Sequence, residues 1–350
     1  MLKTLQQLAV KGALRAIQRQ PLNSSTEIRL TRLCTQRCRQ CSVYERTSEQ
    51  AMLTLPQFRE IMAKLHDYGA YIGFISGGEA TLVPDVEQML IEAKQTFTSA
   101  TTLVTGLINR SDVIERVGQV ALAHDINVQT SLDALGPLGD NLRGAKDFAE
   151  TVLKHMQWFS DHRAGSKSLL YANIVINNLN LDQIPELIKR IRDLGWRATI
   201  GMYHSLTATT RADDELRIVP GKKLDDLIKF LDGNTDILNL NSFITGIPKF
   251  VANPETDFCP FVASPFWMTR TTIMENGDVH LCYGDPIGNI LGQDMDDIFS
   301  SVDYKQRLTE YNNCQGCWTT CYTQRYLLVH PRSVGELFHN AKKIIKLKAR

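Results

Sequence analysis

Three cysteines near the start of the chain have a spacing suited to metal binding. Cys34, Cys38 and Cys41 form a C-x3-C-x2-C triplet. Three thiolates at this spacing on one loop can hold three irons of a four-iron cluster, which leaves the fourth iron open to another ligand. A structural cluster is normally closed by four cysteines, so an open iron indicates a functional site. A zinc loop built on the same thiolates is the alternative.

A second motif follows the triplet and bears on that choice. After the apolar run 71–75, the chain reads Ser76-Gly77-Gly78-Glu79, which we interpret as the end of a strand. Glycines let the backbone approach a ligand closely, and the Glu79 carboxylate can accept a hydrogen bond from an ammonium group. The two motifs together favour an iron-sulfur site over zinc.

This pair of motifs resembles the radical S-adenosylmethionine (SAM) superfamily. The resemblance implies that the amine and carboxylate of SAM chelate the open iron of a four-iron, four-sulfur cluster. The reduced cluster would then cleave SAM to a 5′-deoxyadenosyl radical. The residues that the resemblance assigns are Cys34, Cys38 and Cys41 as cluster ligands, with Gly77, Gly78 and Glu79 at the SAM amino group.

The sequence departs from the family pattern at three places. Arg39 follows the second cysteine, where the family commonly has an aromatic residue that stacks on adenine, although a guanidinium plane can also stack. The family's GGEP is GGEA here, with Ala80 in the last position. The usual Thr-Asn-Gly after the third strand is replaced by 104–106, so that contact is not carried over.

A later segment carries weaker family marks. Ser131 and Asp133, followed by Asp140 and Arg143-Gly144, resemble a tract of radical SAM enzymes that have C-terminal cluster domains. The resemblance implies that the serine and the arginine lie near the SAM ribose and carboxylate, with Asp133 in the same cofactor-binding group. The alternative is a buried serine with an aspartate that caps a loop.

The composition is that of an ordinary globular enzyme. The chain has 350 residues, of which 43% are hydrophobic and 22% charged, enough for one large α/β domain with an appendage or for two modest domains. We find neither a membrane span nor a secretory signal in it, which predicts a cytoplasmic protein. Its eight cysteines are better explained as metal ligands than as disulfides.

Short β-rich runs alternate with amphipathic helical stretches from Glu27 onward. Six such units in succession predict a parallel sheet covered by helices. The resemblance implies a TIM-like partial (β/α)6 barrel with its site at the C-terminal ends of the strands. The predicted strands are 27–33, 71–76, 100–105, 126–131, 169–176 and 198–203, and the predicted helices are 56–68, 84–97, 110–123, 145–160, 181–194 and 221–232.

A second group of cysteines occupies the last quarter of the chain. A β-turn at 276–278 predicts a hairpin that brings two of them together. The group resembles the SPASM or shorter twitch auxiliary-cluster domains, which implies an auxiliary four-iron cluster, and zinc is again the alternative. We favour the first four as ligands and leave the last as a ligand or a buried thiol. The five are Cys259, Cys282, Cys314, Cys317 and Cys321.

Two further residues are candidates for catalysis. In sulfatase-maturing members of the SPASM group, an aspartate directly after the equivalent of Cys282 is the base. Here that position is Tyr283, with Asp285 two residues further on. Tyrosine is a poor base at neutral pH but can donate a hydrogen bond or a hydrogen atom.

The predicted organisation has four segments, of which the first and last are basic amphipathic helices. Their net charges are +4 for 1–26 and +5 for 330–350. Such helices either bind anionic membranes, here peripherally at the inner membrane surface, or pack on the barrel. Between them we predict a radical SAM core, 27–235, and a SPASM-like or twitch-like domain, 236–329.

We expect an enzyme that abstracts hydrogen from a small-molecule, sugar or lipid-linked substrate. The alternative is a peptide-modifying enzyme, disfavoured because only thirty-three residues precede Cys34, fewer than a leader-binding domain needs. A cluster-binding interaction module without enzymatic activity is a third reading, disfavoured by the GGE motif. The expected partners are an electron donor such as flavodoxin or ferredoxin and an anionic membrane surface, but not nucleic acid, because the core is acidic.

Overall fold

The computed structural model describes most of the chain between residues 21 and 327. Most of both predicted basic helices, residues 1–20 and 330–350, lies outside the described residues. Within the described part, no helix is both long and apolar enough to cross a bilayer. The described residues are 21, 23–43, 51–204, 211–254, 269–282, 284–314, 317–324 and 327.

The described strands form one sheet of nine, in the order β6-β5-β4-β3-β2-β1-β7-β8-β9. All pairs from β6 to β7 are parallel, and the last two pairs are antiparallel. The six parallel units expected from the sequence are therefore confirmed. The strands are β1 (Asn23–Arg29), β2 (Ile72–Ser76), β3 (Ala100–Val104), β4 (Asn127–Ser131), β5 (Leu170–Ile176), β6 (Arg197–Met202), β7 (Thr269–Ile273), β8 (Asp278–His280) and β9 (Gly288–Asn289).

Helices connect the parallel strands and cover one face of the sheet. The face of α1 that contains Phe58, Ile61 and Leu65 is fully buried, as its spacing predicts. Thr54 and Gln57 form a capping box at its N-terminus. The helices are α1 (Leu55–Tyr68), α2 (Val86–Thr96), α3 (Ser111–Ala123), α4 (Gly136–Arg143), α5 (Phe148–His162), α6 (Ile184–Asp193), α7 (Lys222–Leu231), α8 (Asn241–Ala252), α9 (Met295–Ser300) and α10 (Val302–Tyr311).

The first strand differs most from its prediction, which placed it at 27–33. It begins at Asn23 because it is paired on both sides, with β2 and, through Asn23 and Thr269, with β7. It ends at Arg29 because the chain then leaves the sheet to form the cysteine loop. The predicted N-terminal helix, 1–26, is therefore wrong in its last four residues, which belong to β1.

The predicted hairpin joins the cysteine-rich region to the barrel sheet. Strands β7 and β8 are antiparallel, and the turn between them is closed by hydrogen bonds from Gly277 N to Met274 O (2.9 Å) and from Met274 N to Asp278 O (2.9 Å). Gly277 has a φ of 88°, in the left-handed region that favours glycine. Because β7 pairs with β1, the hairpin extends the same sheet that carries the cysteine loop.

Candidate active site

The cysteine triplet and the glycine motif lie against each other at the C-terminal edge of the sheet. Gly78 N donates to Thr31 O (2.7 Å), and Glu79 N donates to Leu33 O (2.8 Å). A Cβ at Gly78 would lie 2.2 Å from the Leu33 carbonyl oxygen. Glycine is therefore required there, since a side chain would push the two segments apart.

A cavity opens between these segments and the ends of the neighbouring strands. It has a volume of about 180 Å³ and is partly open to solvent. All three cysteines of the triplet contribute to its wall. The lining residues are Cys34, Gln36, Cys38, Cys41, Val43, Gly77, Gly78, Val104, Thr105, Gly106, Ser131 and Arg143.

The thiols of the triplet are placed to accept hydrogen bonds from the loop that carries them. Gln36 N lies 3.4 Å from Cys34 Sγ, and Val43 N lies 3.4 Å from Cys41 Sγ. Burial raises the pKa of the Cys34 thiol to about 11, so metal binding there would release a proton. N–H donors aimed at sulfur suit thiolates that ligate a cluster.

Two buried donors in the cavity wall have neither a hydrogen-bond partner nor an ion-pair partner among the described residues. They are Gln36 Nε2 and Arg143 Nε. Buried donors are rarely left unpaired, so both fit acceptor groups of a ligand such as the SAM carboxylate. Sequence reasoning missed Gln36; its position between two cysteines of the triplet was the only signal.

Asp133 holds Arg143 in place and does not line the cavity. Its carboxylate pairs with Arg143 Nη2 at 2.7 Å and also accepts from Val175 N (2.7 Å) and Gln40 Nε2 (3.2 Å). Burial disfavours the charge on Arg143, but Asp133 outweighs it, and the pKa of Arg143 is raised. Arg143 Nη1 lies 3.9 Å from Cys38 Sγ, which places a fixed positive charge beside the predicted cluster.

The remaining residues of that tract organise the backbone. Asp140 accepts hydrogen bonds from Asp147 N (2.9 Å) and Phe148 N (2.8 Å) at the start of α5. Gly144 ends α4 with a φ of 59°. A Cβ there would lie 2.3 Å from Arg37 O, so glycine lets α4 pack against the cysteine loop.

Glu79 is engaged by the protein on both carboxylate oxygens. Oε1 accepts from Thr81 N (3.1 Å), Thr81 Oγ1 (2.7 Å) and Thr105 Oγ1 (2.6 Å), and Oε2 accepts from Gly106 N (2.8 Å). Only 2% of the residue is exposed. Glu79 thus joins the glycine motif to the segment after β3, a role that sequence reasoning did not foresee.

Arg39 is engaged by acidic partners on the far side of the loop. Its guanidinium group pairs with Asp213 at 2.7 Å and Glu215 at 2.8 Å, and Nη1 donates to Asn141 Oδ1 at 3.1 Å. It does not line the cavity. These contacts tie the cysteine loop to the segment after β6 and give no support to the adenine stacking that the sequence left open.

In the C-terminal cysteine group, Tyr311 connects two of the predicted ligands. Its hydroxyl accepts from Cys282 N (3.1 Å), and its carbonyl accepts from Cys314 N (3.0 Å). Cys282 and Cys321 both interact electrostatically with Tyr322, although burial is the main reason why the pKa of that tyrosine is raised. Cys282, Cys314, Cys317 and Cys321 are all half-buried.

Some residues predicted to act in this region lie outside the described residues, and others are placed away from a catalytic position. Cys259 and the catalytic candidate Tyr283 lie outside the described residues. The side chain of Asp285 is 96% exposed and pairs with Arg307 at 3.4 Å, so its carboxylate faces solvent. Trp318 packs on α8, where its Nε1 donates to Phe243 O at 2.9 Å.

Comparison with known families identifies both cysteine regions. The family described as Radical SAM superfamily matches residues 28–191, and the Iron-sulfur cluster-binding domain family, SPASM, matches residues 266–322. The chain contains a radical SAM domain followed by a SPASM domain. The expectations of an enzyme, of SAM and of iron-sulfur clusters as cofactors, and of a C-terminal SPASM domain are thereby confirmed.

Two curated relatives from Bacillus subtilis strain 168 match most of the chain. The antilisterial bacteriocin subtilosin biosynthesis protein AlbA is 25% identical over 80% of this chain and 60% of its own length. The sporulation killing factor maturation protein SkfB is 25% identical over 89% of this chain and 72% of its own length. The chain therefore spans less than two thirds of AlbA.

Solved structures share the fold. SuiB of Streptococcus suis bound to precursor peptide SuiA has a TM-score of 0.62 at 19% identity, over 86% of this chain and 70% of SuiB. The protein anSMEcpe with bound AdoMet has a TM-score of 0.61 at 15% identity, over 93% of this chain and 99% of that protein.

These relatives overturn the expected substrate class. The sequence favoured a small-molecule, sugar or lipid-linked substrate and partner, whereas AlbA and SkfB are named for bacteriocin biosynthesis and killing-factor maturation, and SuiB was solved with a precursor peptide. The prediction was wrong because it relied on two indirect signals, the single auxiliary cluster and the short segment before Cys34. Substrate choice depends on the groups that line the site, and the length of that segment does not report on them.

Proposed function

We propose that this chain is a radical SAM enzyme that modifies a precursor peptide. The observation that carries the proposal is the match to two peptide-maturation proteins over 80% and 89% of the chain. The cavity supports the SAM-dependent part of the proposal, because three thiols, three glycines and two unpartnered donors converge there. We place the enzyme in the cytoplasm, where a newly made peptide would meet it.

Each part of the cavity has a role in this proposal. When bound, the cluster and SAM supply the radical that abstracts a hydrogen atom from the peptide. Cys34, Cys38 and Cys41 hold the cluster, and Gly77-Gly78 give the SAM methionine group close access to backbone. Gln36 and Arg143 bind carboxylate or hydroxyl oxygens of SAM, with Ser131 beside them.

Other residues act by positioning these groups. Asp133 orients Arg143 through the 2.7 Å ion pair. Glu79 fixes the segment after β3 through Thr105 and Gly106. Asp133 and Glu79 were predicted to contact the cofactor. In this proposal they instead hold the residues and backbone that do so.

The C-terminal cysteines form an auxiliary site beside the barrel. Cys321 interacts electrostatically with Tyr171 on β5 and Arg270 on β7, so this group borders the sheet's inner face. We retain 27–235 as the core and 236–329 as the auxiliary domain, joined through the pairing of β1 with β7. An auxiliary cluster there would hold the peptide or accept an electron from it.

The proposal is tested with candidate precursor peptides encoded beside the gene. Anaerobically reconstituted protein is incubated with SAM, dithionite and each peptide, and the peptide mass and 5′-deoxyadenosine are measured together. We expect one peptide to change mass only when SAM and reductant are present. A Cys34→Ala variant is the control and should leave the peptide unchanged.

The proposal fails if 5′-deoxyadenosine forms while every neighbouring peptide keeps its mass. It fails equally if a peptide changes mass in the Cys34→Ala control, since that change would not depend on the cluster.

A further inference from the structure

A charged group lies on the inner face of the sheet, outside the cavity described above. Glu27 and Arg29 are two positions apart on β1 and therefore face the same side, opposite Ile28 and Leu30, which are fully buried. Arg270 on β7 reaches the same carboxylate. The inner face thus carries two guanidinium groups around a single glutamate.

Both oxygens of Glu27 are already in use. Oε1 accepts from Arg29 Nε (3.2 Å) and Ser76 Oγ (2.8 Å), and Oε2 accepts from Arg270 Nη2 (2.7 Å). Burial opposes its charge, but the two arginines prevail and lower the pKa of Glu27 to about 2. Arg270 also interacts electrostatically with Cys321, whereas Arg29 has Glu27 as its ion-pair partner among the described residues.

Of the two arginines beside Glu27, Arg29 is the one with an unused hydrogen-bond donor. Its side chain is 12% exposed, and its Nη1 is buried without a hydrogen-bond partner among the described residues. Arg270 is further occupied, because its guanidinium lies 5.0 Å from the centre of the Phe74 ring. A partly exposed guanidinium with an unsatisfied donor suits a carboxylate, which it can bind through two parallel hydrogen bonds.

The sheet register places Arg29 beside the strand residues that immediately precede the predicted SAM site. Arg29 pairs with Ser76, the residue before Gly77. On the next strand Ile75 pairs with Leu103, so the position beside Ser76 is Val104, which lines the cavity. A group bound to Arg29 would therefore lie next to the bound cofactor without occupying its place.

We propose that Arg29 binds a carboxylate of the substrate peptide, from an acidic side chain or from its C-terminus, and so positions the peptide beside SAM. This rests on the proposed function and adds a specificity determinant to it. The SAM carboxylate has its own candidate partner in Arg143, whose unpartnered Nε belongs to a residue of the cavity wall.

The test measures binding, which requires no turnover. Anaerobic holoenzyme with SAM is titrated calorimetrically with three short glycine peptides. The first has blocked ends and a central glutamate, the second has blocked ends and a central glutamine, and the third has the glutamine and a free C-terminus. We expect the first or the third to bind at least about tenfold more tightly than the second, as for a charged hydrogen-bonded pair. The preferred peptide identifies the source of the carboxylate.

Variants connect that preference to Arg29. Arg29→Gln should abolish it, whereas Arg29→Lys keeps the charge without the planar fork and should retain part of it. Arg192→Gln is the matched control on the outer face of α6, where its side chain is 44% exposed, and should keep the full preference. Iron content and circular dichroism verify that each variant is folded and loaded.

Equal binding of all three peptides by the wild type would overturn the proposal, as would an undiminished preference in Arg29→Gln. Weaker SAM binding in Arg29→Gln with the peptide preference intact would assign Arg29 to the cofactor and also overturn it. A preserved preference with no peptide modified would count against the proposed function alone.

Discussion

The two cysteine regions differ in how much of their geometry the polypeptide supplies. Cys34, Cys38 and Cys41 share one loop, which the glycine motif holds through backbone hydrogen bonds. In the C-terminal group, Cys282 ends a hairpin and Cys314 follows α10, and the two are joined through Tyr311. The first site is thus largely organised by its own backbone, while the second depends more on a bound metal to tie its segments together.

The largest effect should come from removing a ligand of the first group. Cys34→Ala should lower 5′-deoxyadenosine formation by more than roughly a hundredfold, because even changes around metal ligands commonly cost that much. Iron content should fall from about eight to about four per chain, as expected for two four-iron clusters. Chromatography and iron analysis of reconstituted protein measure both. Unchanged iron with full SAM cleavage would mean that Cys34 is not a ligand.

The backbone contact of the first site can be broken without touching a ligand. Gly78→Ala places a Cβ against Leu33 O at 2.2 Å, which should destabilise the fold by about 1–3 kcal/mol and reduce SAM cleavage. Gly292→Ala is the matched control, since a Cβ there meets nothing within 4 Å. Urea unfolding and SAM cleavage are measured for both variants. Equal effects in the two would show that the contact does not organise the loop.

The smallest effect on SAM cleavage, and the clearest effect on stability, should come from the second group. Cys282→Ala should lower the thermal midpoint of the holoprotein more than Cys34→Ala does, because metal binding there contributes to folding. Slow cleavage of SAM should persist while product formation is lost. Calorimetry under anaerobic conditions provides the comparison. If Cys34→Ala is the more destabilising of the two, the contrast between the regions is wrong.

The sequence predicted what depends on local pattern. The periodicity of α1, the alternation of strands and helices, and the turn at Gly277 each depend on residues close together in the chain, and all three are confirmed. The motif also predicted that cysteines and glycines would meet. They do so through Thr31 and Leu33, which no motif singled out.

The sequence could not predict what depends on distant partners. Arg39 was considered for stacking, but Asp213 and Glu215, more than 170 positions away, engage it. Glu79 was predicted to contact the SAM amino group. Its carboxylate instead accepts hydrogen bonds from Thr105 and Gly106, which follow β3 and are distant from Glu79 in the sequence. A side chain's role follows from its neighbours in space, and a single sequence does not list them.

The pairing of β1 with β7 has a consequence for how the protein is made. Glu27 meets Arg270 across 243 positions of sequence, so one edge of β1 stays open on the ribosome until β7 has been synthesised. An open strand edge invites pairing with other chains, and contacts between distant segments form slowly. The cysteine loop that follows β1 is therefore synthesised before the sheet that supports it is complete. Iron that arrives after synthesis is complete would bind a cysteine loop whose conformation is already fixed by the finished sheet. Iron that arrives earlier would bind a loop whose conformation is not yet fixed.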